Sequence, residues 1–308
     1  LYKGCDYWVP PIISEELESM DKEKNPVFEN AEAEFYIAQK DGVTVGRIAA
    51  MVNWVEIEEQ KKNKLRFGWY DTIDDLEVSK KLLESVIEFG KKRKLEFVDG
   101  PVGFSNMDKA GLLIDGYEEL NTMITWYHYP YQKEHLKKLG FSKLAEWVEY
   151  KIKIFSAEDA PEKVKKFSKI IQQRYELKVL NFKSRKEIIP YVDKMFELLN
   201  VTYSNLQTYV TIKQYQIDFY KEKFIKYIHP DFIKCCLDKD DNLIQNNETG
   251  DKMVLRPTPN GSFMLDLMLA TGEQVEVTVD SGAEENVCPW DWGLGFPLEE
   301  SSRWMAFS

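Results

Sequence analysis

The chain has 308 residues and a formal charge of −11, from 41 Lys and Arg against 52 Asp and Glu. With 44% hydrophobic and 30% charged residues it can bury a core and wet its surface, which excludes general disorder. The acidic balance argues against unaided binding to nucleic acid or an anionic membrane, and no apolar run reaches the roughly 20 residues a membrane span needs.

Residues 34–53 predict a hairpin, because Phe35, Ile37, Val43 and Val45 alternate around the Asp41-Gly42 turn. A polar helical stretch to about Asn63 and a strand at Leu65–Tyr70 follow. Asp74 or Asp75 then caps a helix to about Arg93, with Leu82, Leu83, Val86 and Ile87 inward and Lys80, Lys81, Glu84, Glu88 and Lys91 outward. Phe97-Val98 is a short strand ended by Gly100-Pro101. Gly103–Glu118 is a Gly- and Asp-rich loop. Tyr131–Leu139 is a helix stopped at Gly140, and Trp147–Ile154 is a strand.

Pro161 opens a second half, with helical stripes at Val164, Phe167, Ile171 and Tyr175, then at Ile188–Leu199, then at Ile212, Tyr215 and Phe219. A strand at Leu177–Phe182 and a hairpin at Phe232–Ile244 complete it. Beyond Gln245 the character changes: the only basic residues are Lys252, Arg256 and Arg303, against eleven acids. A polar linker at 245–253 leads to a third hairpin, Phe263–Leu269 with Val275–Val279, and to a Trp- and Gly-rich end without clear period. The expected class is α/β (α+β), divided at 1–155, 156–244, 245–253 and 254–308.

Cys5, Cys235, Cys236 and Cys288 match no zinc spacing, and His128, His135 and His229 are too scattered for a histidine metal site. The thiols read as free in a reducing cytoplasm. No signal peptide is visible, and Leu1 in place of Met implies preceding sequence.

The order hairpin, strand, helix, strand, helix, Gly-Phe, strand resembles the GNAT N-acyltransferase superfamily, with Tyr131–Phe141 as its helix-then-Gly-Phe element. More closely, Leu1–Pro11, Asp41–Ala49, Phe67–Asp75, Gly100–Gly116 and His229–Asp241 resemble a little-characterised bacterial GNAT-like family of two tandem domains. That resemblance implies a mixed sheet with flanking helices, a first strand upstream of Leu1, and a second unit truncated at Ile244. It also implies acetyl-CoA or another acyl-CoA as cofactor and a small-molecule amine as partner. In such proteins a Gly-rich turn before a helix holds the pyrophosphate on free N–H groups. Here that turn is Thr72–Glu77, with no glycine and three carboxylates that satisfy the helix and repel a diphosphate. The residue four before the Gly of Gly-Phe, often a tyrosine general acid, is Leu136. Acyl transfer is therefore expected to be weak or absent, and a non-catalytic binding module on the same fold stands as the alternative.

Two further candidates remain. In Gly103–Gly116 the glycines let backbone approach a ligand, Asp108 or Asp115 can receive an amine, and Trp126, Tyr127, Tyr129 and Tyr131 can line a pocket; a packed loop beside an aromatic core is the other reading. The run Val277–Ala283, which includes Asp280-Ser281-Gly282, resembles the half-site of retropepsin-like aspartic proteases of retrotransposon type, with Asp280 as catalytic carboxylate. A second Asp must then come from a dimer, since two carboxylates share the proton; an ordinary turn is the alternative. Neither the acyl acceptor nor the oligomeric state is legible.

Overall fold

A computed structural model describes all residues except 123, 124, 153–161, 205, 207, 244–253, 258–262, 269–273, 280–297 and 308. The chain is mixed α/β. Its described elements are α1 (Ile13–Met20), β1 (Ala31–Lys40), β2 (Val43–Asn53), α2 (Trp54–Glu58), β3 (Lys64–Thr72), α3 (Leu76–Lys92), β4 (Phe97–Asp99), β5 (Leu112–Asp115), α4 (Pro130–Lys138), β6 (Ala145–Ile152), α5 (Glu162–Arg174), β7 (Lys178–Asn181), α6 (Arg185–Thr202), α7 (Gln214–Phe224), β8 (Lys234–Leu237), β9 (Val254–Pro257), β10 (Phe263–Met268), β11 (Gln274–Val279) and β12 (Leu298–Phe307). No described helix is long and apolar enough to cross a membrane.

Two compact units result, one of Leu1–Tyr150 with Gln207–Thr211 and Glu300–Ser308, the other of Lys151–Leu206 with Ile212–Glu299. The division expected at 155–156 lies outside the described residues, as do the linker and Asp280.

The first unit is built on a sheet of order β1-β2-β3-β4. The hairpin forms as the Asp-Gly signal requires, with Asp41 and Gly42 both at positive φ. β3 then pairs antiparallel with β2 and parallel with the three-residue β4. In β3, Leu65 and Phe67 enter the core beneath α3, yet so does Tyr70, while Trp69 packs on the opposite face. One extra residue in β3 causes this reversal. The pairing steps from Arg47↔Asp71 to Ala49↔Gly68, and Trp69 takes a positive φ of 48°. Such a bulge re-aims every side chain beyond it.

α3 covers one face of the sheet with Val78, Leu82, Leu83, Val86 and Phe89. Ile87, expected inward, is partly exposed; the buried stripe runs to Phe89 instead. The other face carries Ala33, Ala49, Met51, Trp69 and Phe104. On that face lies a buried ionic cluster. Arg66 donates from Nε and Nη2 to both oxygens of Glu56, at 2.8 and 2.9 Å. Its remaining donors reach the Gly103 and Thr208 carbonyls at 3.1 and 2.8 Å. Lys64 bridges Glu56 and Asp99 at 2.9 and 2.8 Å. Burial alone would raise the Glu56 carboxyl, but Arg66 and Lys64 outweigh it and hold the group below the usual carboxylate range.

A second sheet has order β5-β12-β6. Strand β12 comes from the end that shows no period in sequence; Trp304 pairs with Asp115 and Ala306 with Leu112.

In the second unit β7 pairs antiparallel with β8, and Phe182, Ile188, Val192 and Cys235 form its core. Of the hairpin expected at Phe232–Ile244, whose last residue lies outside the described ones, the described residues form the bridge Leu237↔Leu243. The Asp238 carboxylate accepts from the Asp240 and Asn242 amides and folds the turn on itself. The third hairpin is present as β10 and β11, joined from Phe263↔Val279 to Met268↔Gln274, with β9 on its other side.

Replacing Arg66 by Ala takes from buried Glu56 its two-point partner and leaves it the Lys64 contact; this should cost about 3–5 kcal/mol, whereas Glu56→Leu with Arg66→Met should recover most of it. Urea unfolding followed by tryptophan fluorescence reads this, because Trp54, Trp69 and Trp126 lie in the same unit.

Candidate functional site

The candidate site is built where β3 loses its neighbour. β4 pairs with β3 over three residues, after which the Gly100-Pro101 bond, in the cis form, turns the chain. Val102 N still donates to Phe67 O at 2.8 Å. A Cβ on Gly68 would meet Val102 O at 2.4 Å, so only glycine admits this approach. Beyond Gly68 the β3 carbonyls on that side need other donors, since buried backbone groups are paired.

Helix α4 supplies them. Gln132 Nε2 donates to Tyr70 O at 3.0 Å, and the Tyr131 hydroxyl donates to Thr72 O at 2.7 Å. Gln132 is fixed in turn by its Oε1, which accepts from Tyr129 N at 2.8 Å across the helix start. Pro130 at the first helical position needs no N–H partner there.

The N-terminus of α3 is closed as well. Asp75 caps it, accepting from Glu77 N at 3.0 Å, and Lys40 sits 3.2 Å from the other Asp75 oxygen. That hydrogen bond from Lys40, with the one from the Glu77 amide, keeps the Asp75 carboxyl below its ordinary value. Asp74 lies 3.2 Å from His135 Nε2. His135 Nδ1 shares a 2.8 Å hydrogen bond with Ser79 Oγ, and the Tyr70 hydroxyl donates to Ser79 at 2.9 Å. This Tyr70–Ser79–His135–Asp74 chain ties α3, α4 and β3 together. Ser79 is fully buried, so it positions His135 and presents no nucleophile to solvent.

An aromatic row runs alongside. Trp8 stacks on Tyr2, Tyr2 on Tyr129 and Tyr129 on Tyr131, with centroids 5.2, 5.4 and 5.6 Å apart; His135 follows Tyr131 at 5.5 Å. Tyr127 meets Tyr2 and Tyr129 edge-on. The Tyr2 hydroxyl donates to Asp71 at 2.5 Å, and Arg47 bridges Asp71 and Glu16 at 2.6 and 2.8 Å. Burial pushes the Tyr131 phenol up to about 12, with Tyr129, Asp74 and Asp71 adding to it, so this hydroxyl is a neutral donor at physiological pH.

The sequence-derived candidates thus separate. Tyr127, Tyr129 and Tyr131 share the row. Trp126 packs on Trp69 at 5.9 Å, on the sheet face away from α3. Asp115 is exposed and accepts from Gly116 N at 2.9 Å. The Asp108 carboxylate turns into its own loop, accepting from Ser105 N at 3.0 Å, directly under Gly103, where a Cβ would lie 2.1 Å from the Asp108 Cβ. Enclosure raises that carboxyl, more than the Ser105 and Phe104 amides and Arg66 lower it. Leu136 is buried in the core beneath α3. Tyr2, Trp8, Ser79 and His135 were not singled out from sequence. His135 and Tyr131 fall four apart on one helix, a spacing that brings two side chains together. Among the described residues no group of three or more His, Cys, Asp or Glu is placed to hold a metal ion.

No family model matches the chain. Protein YghO of Escherichia coli (strain K12) is 24% identical over 235 residues, 75% of this chain and 58% of that protein. A bacterial ceramide synthase of Caulobacter vibrioides (strain NA1000 / CB15N) is 24% identical over 146 residues, 47% of this chain and 38% of that protein. The chain therefore spans under two thirds of the length of either relative.

The native state holds the Asp108 proton more tightly than the unfolded chain does. Stability should therefore fall as pH rises from the ordinary carboxylate range to the raised value. Asp108→Asn keeps an acceptor for Ser105 N and should flatten this slope, becoming relatively more stable toward neutral pH. Thermal melts of both proteins across pH 4 to 8, roughly the span of carboxyl titration, measure it.

Proposed function

We propose that this chain is an acyltransferase-type protein on a GNAT-like fold, in which the site for an acyl-CoA pyrophosphate is closed from within. Two lines support the class. The element order β1-β2, β3, α3, β4, α4, Gly140-Phe141, β6, with α2 and β5 set between its members, follows the pattern that suggested it. The similarity to a ceramide synthase adds a chemical type, because ceramide is an amide of a long-chain amino alcohol and its synthesis joins an acyl group to an amine.

One observation carries the second half of the proposal: at the β3–α3 corner the Glu77 and Val78 amides and the Tyr70 and Thr72 carbonyls already have internal partners. The Asp75 side chain occupies Glu77 N and its main-chain carbonyl Val78 N, and Asp74 adds negative charge where a diphosphate would bring more. Tyr131 and Gln132 occupy the β3 carbonyls. A carrier binding there must displace hydrogen bonds each worth about 1 kcal/mol and overcome like-charge repulsion. Transfer from acyl-CoA by this chain is accordingly weak or absent. The same closure favours the non-catalytic alternative, a binding module whose aromatic row faces its ligand.

In a thermal-shift titration, millimolar acetyl-CoA or palmitoyl-CoA should leave the Tm of the wild type unmoved, whereas an open site saturated at 100 times its Kd would add about 2.7 kcal/mol. Asp74→Asn with Asp75→Ser keeps a capping oxygen and removes both charges; if charge closes the site, this variant gains a measurable shift. A shift of several degrees in the wild type would contradict the reading. Thiol release from acyl-CoA in the presence of a long-chain amine reports on transfer itself.

A further inference from the structure

The second unit displays large apolar side chains that its own core does not cover. Phe232 is 87% exposed and Tyr227 74%, and Phe224 and Ile189 are exposed with them. All belong to one part of that unit: Arg185, at the start of α6, donates from Nε to Ile228 O at 3.0 Å, which brings the α6 N-terminus against the segment after α7.

The display is built into the backbone. Pro230–Phe232 forms a 3-10 turn capped by His229, whose Nδ1 accepts from Asp231 N. Phe232 N and Ile233 N donate to His229 O and Pro230 O at 3.1 Å each. Ile233 then enters the core and β8 pairs with β7, so the turn is anchored at its far end while Phe232 stands outward. The His229 ring supports the Phe232 ring edge-on at 6.1 Å.

Cations accompany the rings. Lys226 lies over Tyr227 at 5.2 Å and Lys223 over Phe224 at 5.4 Å. Arg185 and Lys186 are exposed at the helix start beside them. Residues 183–189 and 213–234 hold eight Lys and Arg against four Asp and Glu, in a chain whose total charge is −11. This island is therefore opposite in sign to the molecule as a whole.

We propose that this face docks on an anionic lipid bilayer. Tyr227 pairs an apolar body with a polar edge and so suits the headgroup level, Phe232 and Phe224 add apolar area to bury there, and the neighbouring lysines are drawn to the negative surface. Charge complementarity selects this occupant, since a second copy meeting this face with the same face would set lysine against lysine and a neutral apolar partner would need no lysines. The island overrides the expectation from net charge because screening confines surface electrostatics to about 8–10 Å. The proposal does not depend on the acyl-transfer reading: bilayer binding is assayed without any acyl donor, and the donor tests above use no vesicles.

The experiment is vesicle flotation with the full chain, comparing phosphatidylcholine vesicles with vesicles holding roughly 30% phosphatidylglycerol, at low salt and at roughly 0.5 M NaCl, where the Debye length falls to a few Å. Binding should require phosphatidylglycerol and weaken with salt. Tyr227→Ser with Phe232→Ser, and separately Lys186→Glu with Lys226→Glu, should each reduce the vesicle-bound fraction about tenfold, in keeping with the worth of one or two such groups at a bilayer. Both pairs are exposed, and unchanged circular dichroism confirms that they fold. Ile37→Ser, exposed in the first unit, serves as control. Absence of binding to anionic vesicles, binding indifferent to phosphatidylglycerol, or binding unaltered in both double variants overturns the proposal. A patch variant that instead alters the oligomer size of a vesicle-indifferent chain identifies the face as a protein interface and equally overturns it.

Discussion

The buried grip of Arg66 on Glu56 is the constraint around which the first unit is arranged. Removing two charges from water is costly, and the cost is met only when every donor finds an acceptor. Arg66 comes close to that condition, with four of its five N–H donors on the Glu56 carboxylate and the carbonyls of Gly103 and Thr208, while Lys64 joins Glu56 to Asp99. One side chain thereby fixes α2, β3, the loop after β4 and the backbone at Thr208 relative to one another. Asp99 ends β4 within this cluster, so the place where β3 loses its parallel neighbour is set by the same charges. Packing on the α3 face then supplies the bulk of the stabilisation, at roughly 1.5–3 kcal/mol for each large side chain buried.

That loss of a neighbour has a consequence for function. A strand with open carbonyls beside a helix N-terminus is a natural place for a ligand bearing amides and phosphates. In this chain the bulge at Trp69 turns Tyr70 inward, where its hydroxyl meets Ser79, and α4 closes the rim with Tyr131 and Gln132. The result is a polar lattice satisfied internally rather than a cradle awaiting a guest. Aromatic residues accumulate beside it, from Trp8 to His135, so the surface nearby favours flat or apolar groups over a diphosphate. On the proposed acyltransferase-type reading, the chain keeps the architecture of a thioester-using protein and has replaced its carrier site.

Much of the scaffold was legible. Asp41-Gly42, the Asp75 cap and the Leu82–Val86 stripe each combine a local chemical signal with a period, and each formed where expected. Partners set by distant sequence were not legible. Nothing local says that the Tyr131 hydroxyl reaches Thr72, fifty-nine residues away, or that Ser79 faces His135. Ile87 was misplaced because a stripe read as four residues leaves out Phe89, one turn further on. β12 was missed because Ser301, Ser302 and Arg303 interrupt the alternation, and its pairing with β5 is dictated from far away in sequence. Asp108 shows the limit most clearly: a carboxylate in a glycine-rich loop reads as a ligand group, yet the absence of a side chain on Gly103 lets it fold inward and close its own turn.

The central claim is that the β3–α3 corner is closed to an acyl carrier by its own hydrogen bonds and carboxylates. Amide hydrogen exchange over Thr72–Ser79, with and without saturating palmitoyl-CoA, tests it at the residues concerned. The account predicts that the first-turn amides of α3, already satisfied by Asp75, exchange at the same rate in both conditions. Marked slowing at Glu77 and Val78 on addition of the thioester would show a phosphate seated on the helix and would contradict it.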